Sequence, residues 1–411
     1  MPHHRFHPLM ILAMAAIHPA VASAQQTPNN AADEAVYRQR LNTFFKDPGN
    51  FHYAPMEKLP GVATWRPLPQ RAAARRAIDA TALEAARAYA QTMRSSAFIV
   101  WKDGKIDYSW YGAGTDATTP LVSKSLSKPL TAIAVGRAIQ LGKIRSLDQS
   151  IADFIPELKG TAKAAIRVRY LLDMRSGMLE QGFSTDPDHP LNRAYLDTDH
   201  GRRIVEDYPM VADPGSRYGY ANAPSDLIAL VIERATGRRY SEFLSNEVLR
   251  PLGAQGGEIW VDRPGGLAHS GCCTTLPAET YLRLAILLLQ DGKWGGRTLL
   301  PTGYVTEMRR GTPQNPNFGL GIWLGEPYHE RRGFGAPGAA GPQVLHSEPF
   351  LDPHLFLFDG NSNQIVAVSP KHRLIVLRLG ATPPPPAQNG GAEWDNSYLP
   401  NSIIRGIKRG Q

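Results

Sequence analysis

The chain has 411 residues, 42% hydrophobic and 20% charged, with a formal net charge of +8. This length and composition exclude a disordered or fibrous protein and suit one large two-lobed enzyme. The basic residues are scattered in pairs such as Arg202-Arg203 and Arg331-Arg332. Nucleic-acid binding requires one continuous basic footprint and a known module, so we expect no nucleic-acid partner and interpret the charge as a solvated surface.

The N-terminal segment has the pattern of a targeting signal. Arg5 precedes an apolar stretch over residues 8–21, and Ala22-Ser23-Ala24 supplies the small residues that a signal peptidase recognises. The stretch is short for a membrane anchor. We therefore predict a signal peptide over 1–24, cleavage before Gln25, export to a bacterial periplasm or the medium, and no membrane span in the mature chain.

Strand and helix patterns alternate over the first part of the chain. Residues 25–94 predict an N-terminal arm followed by an Ala-rich helix over 71–94. Two β-rich runs then flank Asp103-Gly104, a dipeptide typical of a tight hairpin turn. The next helix is predicted over 124–142 and ends at a glycine.

The middle of the chain is rich in helical patterns, and its end carries the strand-like runs HLFLFDG, QIVAVSP and RLIVLRLG. Strands at both ends predict one antiparallel sheet flanked by helices, with an all-helical lobe inserted. We assign 95–165 and 300–411 to the α/β (α+β) lobe and 166–299 to the helical lobe. The cleft between the lobes is then the expected ligand site.

The only two cysteines are the adjacent Cys272 and Cys273, which excludes a disulfide framework. In an extended chain the Cβ atoms of neighbouring residues point apart, so a disulfide within the pair is geometrically awkward. We predict two buried thiols near the start of a helix.

Ser125 and Lys128 form the only S-x-x-K sequence in the chain. On a helix, residues i and i+3 share a face, so the lysine amine can reach the serine hydroxyl. Serine needs a neighbouring base, and a buried lysine can serve if desolvation lowers its pKa. About one such match is expected by chance, and an ordinary serine with a solvent-facing lysine gives the same motif.

Tyr220 and Asn222 form the only Y-x-N sequence. In extended chain the two side chains point the same way and can line one wall of a cleft. A tyrosine hydroxyl beside a lysine can pass a proton between nucleophile and leaving group, and the asparagine can orient a substrate amide or carbonyl. A core tyrosine and a turn asparagine would give the same pattern.

The order of the motifs is more specific than any one of them. After the hairpin come S-x-x-K with Pro129, LLDMRSG over 171–177, Pro214-Gly215 before Y-x-N, and IERATG over 232–237. In this order the chain resembles, over roughly residues 95–380, the serine β-lactamase superfamily. The likeness is to its class C-like branch, which includes esterases, D-amino peptidases and 6-aminohexanoate-dimer hydrolases.

This resemblance implies a β-lactamase/transpeptidase-like fold and a role for each matching residue. Ser125 would be acylated, Lys128 would be the primary base, and Tyr220 would relay protons. Asn222 would orient a small-molecule amide or ester substrate. The backbone N–H of Ser125 would be one oxyanion donor. No cofactor is implied.

The third family element is where this sequence departs from the pattern. The family usually has K-T-G, H-T-G or a Gly-rich variant, and the best match here is Phe358-Asp359-Gly360-Asn361. Gly360 would let the substrate approach the strand, and the N–H of Asn361 would be the second oxyanion donor. A cation at this point binds the carboxylate of β-lactams in the family, so its absence favours the 6-aminohexanoate-dimer hydrolase and esterase branches. Asp359 would repel anions, bind an amine or be structural.

The long Gly/Pro-rich segment 325–354 predicts a lid or a wall of the cleft. Its two histidines, His346 and His354, are interpreted as surface groups. The sequence contains no H-E-x-x-H, Gly-rich phosphate loop or G-x-S-x-G motif, so we predict no metal site and disfavour an α/β-hydrolase fold.

Together these patterns predict a serine hydrolase that cleaves an amide or ester through an acyl-enzyme. One alternative is a β-lactamase or D-alanyl carboxypeptidase. Another is a noncatalytic sensor or binding protein of the same fold, although a pure binder has no chemical need for the serine and lysine pair. The natural substrate and the oligomeric state are not readable from the sequence.

Overall fold

A computed structural model describes residues 31–48 and 51–408 of the protein. The predicted signal peptide over 1–24 lies outside the described residues. Within the described part of the chain, no helix is long and apolar enough to cross a membrane.

Eleven α-helices and fourteen strands are found among the described residues. The helices are α1 (Ala31–Lys46), α2 (Ala80–Thr92), α3 (Ser127–Gln140), α4 (Val168–Leu172), α5 (Pro190–Leu196), α6 (His200–Glu206), α7 (Asn222–Thr236), α8 (Tyr240–Leu244), α9 (Ala278–Leu289), α10 (Tyr304–Met308) and α11 (Tyr398–Arg405). The strands are β1 (Met56–Leu59), β2 (Ser95–Lys102), β3 (Lys105–Tyr111), β4 (Pro120–Val122), β5 (Gly257–Trp260), β6 (Thr274–Pro277), β7 (Lys293–Trp294), β8 (Arg297–Thr298), β9 (Trp323–Leu324), β10 (Arg331–Gly333), β11 (Gln343–Leu345), β12 (Phe356–Gly360), β13 (Gln364–Ser369) and β14 (Leu374–Gly380).

The main sheet is built from both ends of the chain, as predicted. Its six antiparallel strands have the order β3-β2-β14-β13-β12-β9. Asp103 and Gly104 join β2 to β3 with φ values of 45° and 87°, the left-handed conformation that a tight hairpin turn requires. The predicted mixed fold of helices and an antiparallel sheet is confirmed.

Successive residues of the central strands face two different apolar cores. On β2, Ile99 lies in the core shared with α3, α7 and α9, whereas Phe98 and Val100 lie in the core shared with α2 and α11. This alternation follows from the two-residue period of a strand and places a helical layer on each face of the sheet.

The predicted helix over 71–94 begins later than expected. Residues 73–75 form a 3-10 turn, and α2 begins after Asp79, whose carboxylate accepts hydrogen bonds from the first N–H groups of the helix. Just before it, the N–H groups of Ala77 and Ile78 donate to the buried carboxylate of Asp107 on β3. This tertiary contact holds the chain extended despite the high helix propensity of its alanines.

The segment 166–299 is not all helical, since it contains the small hairpin of β7 and β8. It also contributes β5 and β6 to a second sheet, of order β1-β5-β6-β4, which the sequence analysis did not predict. In addition, α9 packs against β13 and β14 of the main sheet. The helical layer of the α/β lobe therefore begins before the predicted boundary at 300.

The prediction for the cysteines was wrong: Cys272 and Cys273 form a disulfide with each other. The prediction assumed extended backbone, but Cys273 has a φ of 68°, in the left-handed region. The turned backbone brings the two sulfur atoms together. Both residues are buried, as expected.

Candidate active site

Ser125 lies in a 3-10 turn (Lys124–Leu126) that leads directly into α3, and the first residue of the turn has a φ of 49°. Buried hydroxyl groups hold the turn in place. The Ser123 and Ser127 hydroxyls are 2.7 Å apart, and Thr274 at the start of β6 contacts both of them. The uncommon backbone conformation beside the nucleophile is thus supported by the second sheet.

Lys128 is fully buried one turn after Ser125. Its Nζ donates to Asn222 Oδ1 at 2.6 Å, to the Gly271 carbonyl oxygen at 2.8 Å and to Ser125 Oγ at 3.4 Å. All three acceptors are neutral. Burial lowers the pKa of Lys128 to about 7, although the charge of Asp226 opposes the shift. A large fraction of the amine is therefore neutral near pH 7; in that form its two N–H bonds serve Asn222 and Gly271, and its lone pair is free to accept the Ser125 proton.

Tyr220 lies just before α7 and Asn222 is its first residue, and both face the same amine. Lys128 Nζ is 4.8 Å from the centre of the Tyr220 ring. Burial raises the pKa of Tyr220, and a hydrogen bond with Ser125 partly offsets the rise. The phenol therefore keeps its proton at neutral pH and can donate it.

Gly360 ends β12 directly beside the nucleophile. A Cβ atom built on Gly360 would lie 3.1 Å from the backbone nitrogen of Ser125 and 3.0 Å from a methyl group of Leu126. A side chain here would be in tighter contact than usual, so glycine suits the close approach of the strand. The structure thus brings Ser125, Lys128, Tyr220, Asn222 and Gly360 together, and Asn361 lines a cavity with Ser125.

This arrangement coincides with a match to the beta-lactamase family over residues 80–396. The chain belongs to the beta-lactamase family. The predicted relationship to the serine β-lactamase superfamily is therefore confirmed.

Two curated relatives match parts of the chain. It is 27% identical to the 6-aminohexanoate-dimer hydrolase of Paenarthrobacter ureafaciens over 228 residues, 53% of this chain and 57% of that protein. It is also 27% identical to Protein flp of Staphylococcus aureus over 138 residues, 33% of this chain and 27% of that protein. The chain therefore spans little more than half of one relative and about a quarter of the other.

Solved structures share the fold at low identity. A Bacillus anthracis protein assigned as a 6-aminohexanoate-dimer hydrolase has a TM-score of 0.64 at 17% identity and covers 89% of this chain and 93% of its own. EstCE1, a hydrolase with promiscuous acyltransferase activity, has a TM-score of 0.57 at 18% identity, with coverages of 80% and 98%. These structures show that the chain shares their fold.

The cavity at Ser125 has a volume of about 270 Å³ and is walled on one side by residues 333–342. This part of the predicted lid contributes Phe334, whose ring centre lies 5.9 Å from that of Tyr220. Glu180 and Gln181 also line the cavity. Glu180 forms an ion pair with Arg217 at the edge of the cavity.

Asp359 is a buried structural partner, at the position where family members usually have a cation. Its carboxylate pairs with Arg332 of β10 and accepts a hydrogen bond from Asn396 Nδ2 at 2.9 Å. The guanidinium lies 4.2 Å from the centre of the Trp323 ring. His346, expected at the surface, is buried beside Asn396, because the hairpin of β10 and β11 folds inward; His354 is exposed.

Sequence reasoning missed the Gly271 carbonyl and Asp226 behind Lys128. Asp226 follows Asn222 by four residues, so both lie on one face of α7, and a charged residue on an otherwise apolar helix face was a usable signal. Gly271 gave no such signal, because a backbone carbonyl contacts the amine and any residue could supply it.

Proposed function

We propose that the protein hydrolyses a small amide or ester through an acyl-enzyme on Ser125, with Lys128 as the base and Tyr220 as the proton relay. The observation that carries the proposal is the buried Lys128 amine, 3.4 Å from Ser125 Oγ and bonded only to neutral oxygens. An amine held in this way is a base, whereas a lysine paired with a carboxylate would stay charged.

In the acylation step, Lys128 Nζ takes the Ser125 proton while Oγ bonds to the substrate carbonyl carbon. The carbonyl π electrons move to oxygen, which faces the backbone N–H groups of Ser125 and Asn361. When the C–N or C–O bond breaks, the leaving atom takes the Tyr220 proton, and Tyr220 is reprotonated by the Lys128 ammonium.

In the deacylation step, water attacks the acyl carbon and gives its proton through Tyr220 to Lys128. The bond between the acyl carbon and Oγ then breaks, and Ser125 regains a proton from the Lys128 ammonium. The acid product leaves, and each residue returns to its starting protonation state.

The cavity favours a substrate without a carboxylate at this subsite. Among the described residues that line it, none is lysine, arginine or histidine, and Glu180 is the single acidic group. Because Glu180 is paired with Arg217, the described lining offers no free cation to bind a carboxylate. It supports an ester, or a linear amide whose carboxylate lies several methylenes from the scissile bond, as in the linear 6-aminohexanoate dimer, over a β-lactam, whose carboxylate lies beside the reacting ring.

The test is turnover by wild type and by Ser125→Ala of four substrates: a short-chain p-nitrophenyl ester, nitrocefin, a D-alanyl-D-alanine peptide and the linear 6-aminohexanoate dimer. We expect the ester or the linear amide to be hydrolysed by wild type alone. Intact mass after a fluorophosphonate should show one adduct, absent in Ser125→Ala. An unlabelled and inactive wild type would instead favour a noncatalytic binding protein.

We also propose that the protein is exported after cleavage before Gln25. Full-length protein expressed in a Gram-negative host should be recovered from the periplasmic fraction, with N-terminal sequencing starting at Gln25. Recovery from the cytoplasm with Met1 intact would contradict export.

A further inference from the structure

Asp226 is a buried carboxylate on α7 with one contact toward the active site. Its Oδ1 accepts a hydrogen bond from the Gly271 N–H at 2.8 Å. The carbonyl oxygen of the same Gly271 accepts from Lys128 Nζ at 2.8 Å. A single residue of backbone therefore connects the carboxylate to the catalytic amine.

The other side of Asp226 contacts a stack of buried rings. Its Oδ2 lies 3.3 Å from His269 Nδ1 and 3.9 Å from His200 Nε2. The two imidazole rings are stacked with centres 3.8 Å apart, and Trp260 stacks on His269 at 3.6 Å. His200 Nδ1 lies 3.2 Å from Asp262 Oδ2. These contacts hold the carboxylate in one orientation.

The same side chains do not form a convergent metal site. Ligand atoms of His200, Asp226 and His269 lie within 4.8 Å of one another. However, the imidazole planes are within 15° of parallel, and the nitrogen lone pairs lie in those planes. A single ion about 2 Å from both nitrogens would have to lie in both planes at once.

We propose that Asp226 is a positioning residue for Lys128, which acts through the Gly271 peptide to fix the amine against Ser125 and to set the pH range in which the amine is free. This inference rests on the proposed function of Lys128 as the base. The hydrogen bond supplies the position, and the negative charge favours the protonated amine.

The charged and titratable groups around this pair come from several parts of the chain. Lys128 faces Ser125 in the turn before α3, Tyr220 just before α7 and Asp226 within α7. Asp226 in turn faces His200 from α6 and His269 from the loop before β6. Beyond these, Asp262 and the hydroxyls of Tyr195, Tyr208 and Tyr240 interact electrostatically with the cluster.

The test compares Asp226→Asn and Asp226→Ala in the full mature protein, by kcat, KM and the pH dependence of fluorophosphonate labelling. Asn keeps an oxygen for the Gly271 N–H but loses the charge, so the acidic limb should move about one unit to lower pH, and kcat on the plateau should fall less than in Asp226→Ala. Ala also loses the hydrogen bond, so kcat should fall about tenfold with KM unchanged.

Asp352→Asn is the matched control. Asp352 is equally buried and also accepts backbone N–H bonds, from His354 and Lys371, but it has no contact with Lys128. Asp352→Asn should lower the free energy of unfolding without shifting the acidic limb of the pH profile. Asp226→Glu should keep the limb in place, and Asp226→Ser replaces Asp226→Asn if that variant does not fold.

The inference would be overturned by two results together in folded Asp226→Asn and Asp226→Ala: an acidic limb of the pH profile at the wild-type position, and a kcat loss no larger than in Asp352→Asn. If fluorophosphonate still labels the wild type and not Ser125→Ala, the proposed function stands even though the inference about Asp226 fails. If wild type is not labelled at all, the proposed function itself fails.

Discussion

Two buried clusters of charged residues adjoin Ser125, and they differ in whether the cation contacts its carboxylate. In the first, the Lys128 amine contacts only neutral oxygens, and the nearest carboxylate, Asp226, is separated from it by the Gly271 peptide. In the second, the Arg332 guanidinium pairs directly with Asp359. Lys128 is thus separated from its carboxylate by one peptide, whereas Arg332 contacts its carboxylate directly.

This difference separates proton transfer from structural support. Burial without a contacting carboxylate lowers the pKa of Lys128 to about 7, where it can exchange a proton. Burial also lowers the pKa of Arg332 and raises that of Asp359, but their mutual attraction opposes both shifts. The direct contact between Arg332 and Asp359 anchors the hairpin of β10 and β11 beside the cavity.

The largest expected effect comes from removing the first cation. Lys128→Met should lower kcat/KM by about 10³-fold or more, because Ser125 loses its base. The free energy of unfolding should change by no more than about 1 kcal/mol, since the cost of burying the amine disappears together with its hydrogen bonds. Steady-state kinetics and urea denaturation measure both. Near-normal turnover would show that another group is the base.

Removing the second cation should reverse this pattern. Arg332→Met leaves the Asp359 charge buried without its partner, and we expect a loss of about 3–5 kcal/mol in the free energy of unfolding. Urea denaturation at pH 7 measures the loss. The double variant Arg332→Met with Asp359→Asn should recover at least half of it, because the isolated charge is then absent. Equal losses in the single and double variants would contradict a structural ion pair.

The pH dependence of wild type sharpens the comparison. Only the free Lys128 amine accepts the Ser125 proton, and its pKa is lowered to about 7. Below that pH, kcat/KM should therefore fall about tenfold per unit as the amine becomes protonated, and it should level off above it. Arg332→Met should keep the same limb wherever it is folded. A wild-type profile that is flat between pH 5 and 8 would exclude Lys128 as the titrating base.

The sequence predicted the first cluster better than the second for a physical reason. Ser125 with Lys128, and Tyr220 with Asn222, follow from short periodicities of helix and extended chain and from the family order. The contact between Arg332 and Asp359 depends on how a 30-residue segment folds back on β12, which no local pattern encodes. The disulfide was missed for the same reason, since the surrounding loop sets the φ of Cys273.

The smallest expected effect concerns the surface that the second cluster supports. Phe334 follows β10, lines the cavity and packs against Tyr220 without contacting the Lys128 amine. Phe334→Ala should therefore raise KM several-fold, corresponding to about 1 kcal/mol of lost apolar contact, and leave kcat and the acidic limb in place. Steady-state kinetics with the preferred substrate at several pH values measure KM, kcat and the position of the acidic limb. If kcat fell and KM stayed constant, Phe334 would be orienting Tyr220, and the hairpin would belong to the proton-transfer machinery and not to the substrate wall.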